Sequence, residues 1–378
     1  MNQFNLDLLR LSIEEKGHQN TLFSPASIEI LFAMILSGSQ GNIRSSLLSL
    51  LEISEEEVEV FLTEITKTLN PRSDFSMKFS SDEDSSECTF ANSFWYHPKE
   101  TINQEFEATL KQQYFAEPHP FESNPLATQA KIDQWVAKKT RQVIPELPLH
   151  LDNNTVMVLI NTLYVKASWS RTFDKTEKGD FNLLNGGAAP TEYMIIDQDA
   201  GSPGRGLYLE NEDCQLFAYL SKDERIAFVM YLPRQKDGLP QLMNQLTPQA
   251  FEEWEEALED VDRFYLKIPK FELEDKFELD KVADKLGLEA LFNPSSDLNP
   301  VFETPASHYF SEIGQPCKLR VHEKGLEASA VSYATMSRGG GFGKKIHFEA
   351  THPFYFQIQD IGTGQHLFHG IFTTPTNP

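Results

Sequence analysis

Residues 155–165, TVMVLINTLYV, are apolar on both of the faces that a β-strand presents, apart from a polar break centred on Asn161. Such a strand has no face to give to solvent, so it belongs in the middle of a sheet covered on both sides. The rest of the chain must then supply flanking strands and covering helices. Strand patterns recur at 89–97, 215–220, 225–232 and 263–268, and again at 318–322, 345–350, 354–359 and 367–373. Helical spacing of apolar residues marks the N-terminal stretch, 103–115, 128–141 and 280–292. Ser54, with Glu57 three residues later, opens a further helix in a capping-box pattern, and Gly38 stops the apolar run 28–37. Helix and strand interleave throughout, without repeats or a long linker, which predicts one large α+β domain over residues 1–378.

Composition narrows the function classes. Forty per cent hydrophobic residues, with 28 Phe, are ample for a large core. The 33 basic and 56 acidic residues leave a formal charge of −23, a field that repels nucleic acid and anionic membrane surfaces. The apolar run 28–36 contains Glu29 and falls short of the roughly 20 residues a membrane span needs. The N-terminus lacks a basic start followed by an apolar core, so the expectation is a cytoplasmic protein, or one exported without a conventional signal. The sequon at Asn153 matters only in an exported protein. Cys88, Cys214 and Cys317 are odd in number and far apart, which predicts buried or incidental thiols and no disulfide frame. No GxSxG stands in the chain and no phosphate-loop spacing follows the triple glycine Gly339–Gly340–Gly341, so neither catalytic residues nor a cofactor or metal site is expected.

Residues 323–345, EKGLEASAVSYATMSRGGGFGKK, carry the chemistry that needs explaining. The first half reads as a strand with one face of small or apolar residues: Leu326, Ala328, Ala330, Ser332, Ala334 and Met336. No proline interrupts it. The second half reads as an exposed, glycine-loosened loop around one protease-cleavable arginine, Arg338.

In these features the chain resembles the serpins nearly from end to end. NTLFSPASI at 20–28, VLINTLYVKASWSRTFDKTEKGDF at 158–181, LKIPKFELED at 266–275, LGLEALF at 286–292, VHEKGLEASA at 321–330 and the ending 348–372 stand in the family's order. The resemblance implies three β-sheets with eight or nine helices. It also implies an exposed reactive-centre loop, about 323–346, offered as bait to a protease. In inhibitory members the cut loop inserts into the main sheet as a new strand and drags the covalently attached protease with it. About ten new backbone hydrogen bonds, at about 0.5–1.5 kcal/mol net each, would drive such a step.

The resemblance also assigns candidate residues. Glu323, Gly325, Leu326, Glu327, Ala328 and Ala330 match the hinge. Leu326 stands where inhibitory members usually carry Thr or Ser, and its bulk is expected to slow insertion. Counting from Glu323 with the commonest family spacing puts the cut after Gly339, and one residue shorter puts it at Arg338–Gly339, whereas counting back from Pro353 puts it near Phe342. Arg338 suits a trypsin-like pocket. Phe342 suits a chymotrypsin-like or cysteine protease, and Met336, Lys344 and Lys345 are weaker options. Ser24, Ser27 and Asn161 match the polar cluster beneath the point where the sheet parts. Gln315 replaces the family's usual histidine there, removing a titratable group. Trp169 and the pair Lys270–Glu323 match the place where the loop first enters. The expectation is a monomeric suicide inhibitor of a trypsin-like serine protease that binds neither nucleic acid nor membrane. The alternative is a non-inhibitory member acting as chaperone or binding protein.

Overall fold

The computed structural model describes residues 2–17, 19–69, 85–202, 204–326 and 344–376. Three β-sheets form the interior, and eight α-helices among the described residues pack around them.

The twin-faced apolar run becomes the strand Met157–Ser168, third from one edge of a six-stranded sheet. That sheet runs in the order Phe271–Glu278, Gly314–His322, Gly325–Leu326, Met157–Ser168, Glu87–Tyr96, Glu117–Pro120. Helix Pro125–Lys139 lies across one face, with Ile132, Trp135 and Val136 packed on Trp95 and Ile160. Asn124 caps that helix by accepting from the Ala127 N–H at 2.9 Å, and Pro125 follows at its first turn. The helix therefore starts before residue 128, where apolar spacing alone would begin it.

Helix Pro25–Ser37 is buried nearly all round, as its predominantly apolar composition requires. It ends at Gly38, where a Cβ atom would stand 2.6 Å from the Phe106 ring and 2.7 Å from Val301. Only glycine permits that close approach. In the capping box, the Ser54 N–H donates to Glu57 at 2.8 Å, but the first turn is a 3-10 helix, Glu55–Glu57, before the α-helix Val58–Leu69.

A seven-stranded antiparallel sheet joins the chain's two ends, since Thr21–Phe23 pairs with Gln365–Phe372. The four-stranded sheet runs Ile346–Glu349, Phe264–Pro269, Ala188–Gln198, Lys175–Asn182, with the first pair parallel. The interior is rich in phenylalanine: Phe217, Phe228, Phe264, Phe271, Phe348, Phe356 and Phe372 belong to one cluster between these sheets.

One sequence expectation is corrected. Residues 280–292 do not form an α-helix but two 3-10 turns, Leu279–Lys281 and Glu289–Phe292. Gly287 between them adopts φ +69°, and the Leu288 N–H closes onto the Ala283 carbonyl at 2.8 Å, which breaks helical continuity. The three thiols are free, and Cys214 and Cys317 are buried. Burial pushes the Cys88 and Cys214 thiols up to about 12 and that of Cys317 further still, so none is poised to react.

Candidate functional site: a hinge seated in a parted sheet

After the strand Gly314–His322 the chain turns back within two residues and re-enters the same sheet. Gly325 pairs with His322 on one side and Ser168 on the other, and Leu326 pairs with Val321 and Ala167, all antiparallel. Among the described residues the strands Gly314–His322 and Met157–Ser168 are joined only through this two-residue piece. Leu326 is fully buried there, in the same cluster as Ala167, Trp169 and Val321. Its bulk is already accommodated, so the overpacking expected of it does not apply to this seat.

Three consecutive carbonyls of the turn are held. The Trp169 indole Nε1 donates to the His322 carbonyl at 2.8 Å, the Phe173 N–H to Glu323 at 3.0 Å, and the Trp169 N–H to Lys324 at 3.1 Å. Trp169 is itself fixed by Tyr219 and Phe228, at ring separations of 5.2 and 6.0 Å. Lys270 Nζ donates to Glu323 at 2.9 Å and also lies 4.0 Å from Glu192. Burial alone would raise the Glu323 carboxyl, but the Lys270 hydrogen bond and charge outweigh it and hold the group below the usual carboxylate range.

Further down, the two strands part around a cavity of about 290 Å³. Met157, Leu159 and Asn161 line one bank, Gly314 and Gln315 the other, and Ile28, Leu31 and Ile35 the floor. Gln315 joins Ser24 twice, accepting from its N–H at 2.8 Å and donating to its carbonyl at 2.9 Å. The Ser24 and Ser27 hydroxyls lie 3.2 Å apart. Asn161 does not join this cluster. Its Nδ2 donates at 2.7 Å to Asn92, whose own Nδ2 donates to the Tyr114 carbonyl at 2.8 Å. The Asn161 Oδ1 has no partner among the described residues.

The structure thus brings Ser24, Ser27 and Gln315 together on one bank, leaves Asn161 on the other, and gathers Trp169, Lys270, Glu323, Gly325 and Leu326 at the top. Glu327, Ala328, Ala330, Met336, Arg338, Gly339 and Phe342 lie outside the described residues. Lys344 is exposed, while Lys345 pairs with Asp197 and lies 3.4 Å from Asp199. Sequence reasoning missed Asn92, Phe173 and Glu192 as parts of the site. A signal existed for Asn92, which interrupts an otherwise apolar strand run and is 3% exposed.

Against known proteins, the chain matches the family profile described as Serpin (serine protease inhibitor) over residues 1–375. It is 26% identical to Serine protease inhibitor 42Dd of Drosophila melanogaster, covering 96% of this chain and 93% of that one. Its fold superposes on thyroxine-binding globulin in complex with thyroxine at TM-score 0.83, with 20% identity and coverage of 99% and 98%. It superposes on Arabidopsis AtSerpin1 in its native stressed conformation at TM-score 0.79, with 26% identity and coverage of 99% and 96%. The chain belongs to the serpin family, a family of protease inhibitors and not of catalysts. Its three sheets and surrounding helices are the serpin fold.

Proposed function

We propose that this serpin is a suicide-substrate inhibitor of serine proteases, a single domain whose bait is the segment about 323–346. The observation that carries the reading is the seat of Leu326, buried and paired to both neighbouring strands. Continued in that antiparallel register, an inserted loop would place each further residue opposite one residue earlier on both banks. Ala328 then comes opposite Val165 and Leu319, Ser332 opposite Asn161 and Gln315, and Met336 opposite Met157 and Ser311. The inward face Leu326, Ala328, Ala330, Ser332, Ala334, Met336 carries no charge and no proline, which a strand covered on both faces requires. Its one hydroxyl, on Ser332, would then come beside the Asn161 Oδ1, which has no partner among the described residues and could accept from it. The cavity lies on that path.

Arg338–Gly339 is the favoured scissile bond, because an arginine fills a trypsin-like pocket with an acidic base. The partner is then a trypsin-like protease met by a monomer, in the cytoplasm or after export.

The test is incubation with trypsin at near-equal concentration, read by denaturing gel and intact mass. A protease-linked band that survives denaturation, with a peptide beginning at Gly339, is the expected result. A protease-linked band with chymotrypsin in place of trypsin, cut after Phe342, would move the specificity to chymotrypsin-like or cysteine proteases. Clean cleavage with no gain in heat stability would overturn inhibition and leave a non-inhibitory binding protein.

A further inference from the structure

The six-stranded sheet ends on the strand Glu117–Pro120, which among the described residues pairs with Glu87–Tyr96 alone, in parallel. An edge strand leaves one side of its backbone unpaired, and free N–H and C=O groups there can template a strand of another molecule. The donors of this edge can be followed residue by residue. The Phe121 N–H donates to the Tyr96 carbonyl at 2.8 Å, so the N–H groups of Glu117 and His119 point inward too, and the even-numbered positions point outward. Each outward position lacks a free donor. The Ala116 N–H is taken by the Leu110 carbonyl at 3.0 Å, residues 118 and 120 are prolines, and the Glu122 N–H is taken by the Thr128 hydroxyl at 3.0 Å. Both prolines are exposed, so packing does not call for them, and the ladder to Glu87–Tyr96 loses nothing by their presence. At the opposite edge, Phe271–Glu278, the outward Lys276 N–H donates to Asp275 at 2.7 Å. The carbonyls of Glu272 and Lys276 there accept from Thr376 at 2.7 Å and from Lys16 at 3.4 Å.

We infer that Pro118 and Pro120 are guards that stop this edge from accepting the segment 327–337 of a second copy, and so keep copies of the chain apart. The hazard is intrinsic to the sequence. That segment alternates small and β-tolerant residues without a proline, which suits an open sheet edge as well as it suits the slot between Ala167 and Val321. An incoming strand needs donors from the edge as well as acceptors. Here it meets only carbonyls, and a pyrrolidine ring stands at each place where an N–H would reach for it. The inference concerns pairing between copies and does not depend on protease trapping.

The experiment makes Pro118→Val and Pro120→Val together in the full chain, which restores two outward donors. Wild type and variant are held just below the onset of melting and sampled by size-exclusion chromatography. The variant should form about tenfold more dimer and higher species, the combined effect of two restored hydrogen bonds. Adding Ala330→Pro and Ala334→Pro, which removes donors from the incoming strand, should return it to the monomer. Pro98→Val, at an exposed turn outside the strand, is the control and should behave as wild type. Melting curves taken beforehand separate misfolding from an unguarded edge. Should the double variant fail to fold, Pro118→Val and Pro120→Val made singly restore one donor each and carry the same test. A folded variant with no more oligomer than wild type would overturn the inference. Oligomers that persist with the two loop prolines would overturn segment 327–337 as the incoming strand.

Discussion

The indole of Trp169 donates to the carbonyl of His322 at 2.8 Å, one residue before the turn that carries Gly325 and Leu326 back into the sheet. The backbone N–H of the same tryptophan holds the Lys324 carbonyl, so one residue grips the turn on both sides of Glu323. Trp169→Phe keeps the ring and removes one grip. The expected loss is about 1 kcal/mol of native stability, with faster amide exchange at Gly325 and Leu326. Hydrogen exchange by mass spectrometry reads this directly, and unchanged protection at those two amides would refute it.

Leu326→Arg places a charge where the leucine is fully buried. An unpaired buried charge costs several kcal/mol, so the two-residue strand should leave the sheet and insertion should stop at its first step. The variant should be cut by trypsin without forming a stable complex. Undiminished complex formation on a denaturing gel would show that the hinge enters by another register.

Asn161 and Asn92 tie the paired strands Met157–Ser168 and Glu87–Tyr96 to the end of the helix Gln104–Gln113 through the Tyr114 carbonyl. Asn161→Leu leaves the Asn92 Oδ1 buried without its donor, at a cost of about 1–3 kcal/mol. Urea denaturation of the uncut protein measures this, and a loss below about 0.5 kcal/mol would mean that the pair is solvated.

Gln315 satisfies both its polar groups on the Ser24 backbone and has no proton to gain in the neutral range. Insertion should therefore be nearly independent of pH between 5 and 7, whereas Gln315→His should introduce a dependence centred near the ordinary histidine value of about 6.5. The readout is the rate of heat-stability gain after the loop is cut by a protease that it does not trap. A steep dependence in the wild type would locate the control elsewhere.

Overall stability should behave differently. Burial pushes His366 down to about 3 and His369 well below its ordinary value, and the two rings are 5.2 Å apart. Tyr355 Oη lies 2.8 Å from His369 Nδ1 and Gln357 Oε1 lies 3.1 Å from His366 Nδ1, and it is their removal from water that keeps both rings neutral. Both histidines protonate near 6.5 when unfolded, so their contribution is intact above that pH and is lost as pH falls below it. The slope is about 1.4 kcal/mol per pH unit for each histidine. Denaturant midpoints measured from pH 7.5 to 5 should fall together with this slope, and His369→Gln should flatten it.

The strands legible in the sequence were those whose burial is a local matter. The run 155–165 announced a central strand because both its faces are apolar, and 354–359 and 367–373 are similarly explicit. Ala188–Gln198 was not read as a strand, because its start, AAPTE, is polar and small, and it is held in place by pairing with Phe264–Pro269 far along the chain. Residues 280–292 failed for the opposite reason: their apolar spacing is helical, but Gly287 and packing against the core divide them. Lys270 facing Glu323 was legible only through family resemblance, since the two lie 53 residues apart. The bonds from Pro148 and His150 to Lys276 and Glu312 beside the cavity had no sequence signal at all, because each side chain is an ordinary surface type.

The strands Phe354–Asp360 and Gln365–Phe372 lie inside the seven-stranded sheet, beyond the loop that a protease would sever. The first pairs with Ile226–Pro233, and the second with Thr21–Phe23 near the opposite terminus. A cut at Arg338 would therefore divide the covalent chain without dividing the folded body. The tail would persist as a tightly complemented fragment, co-purifying with the larger piece and parting from it only when the whole core melts.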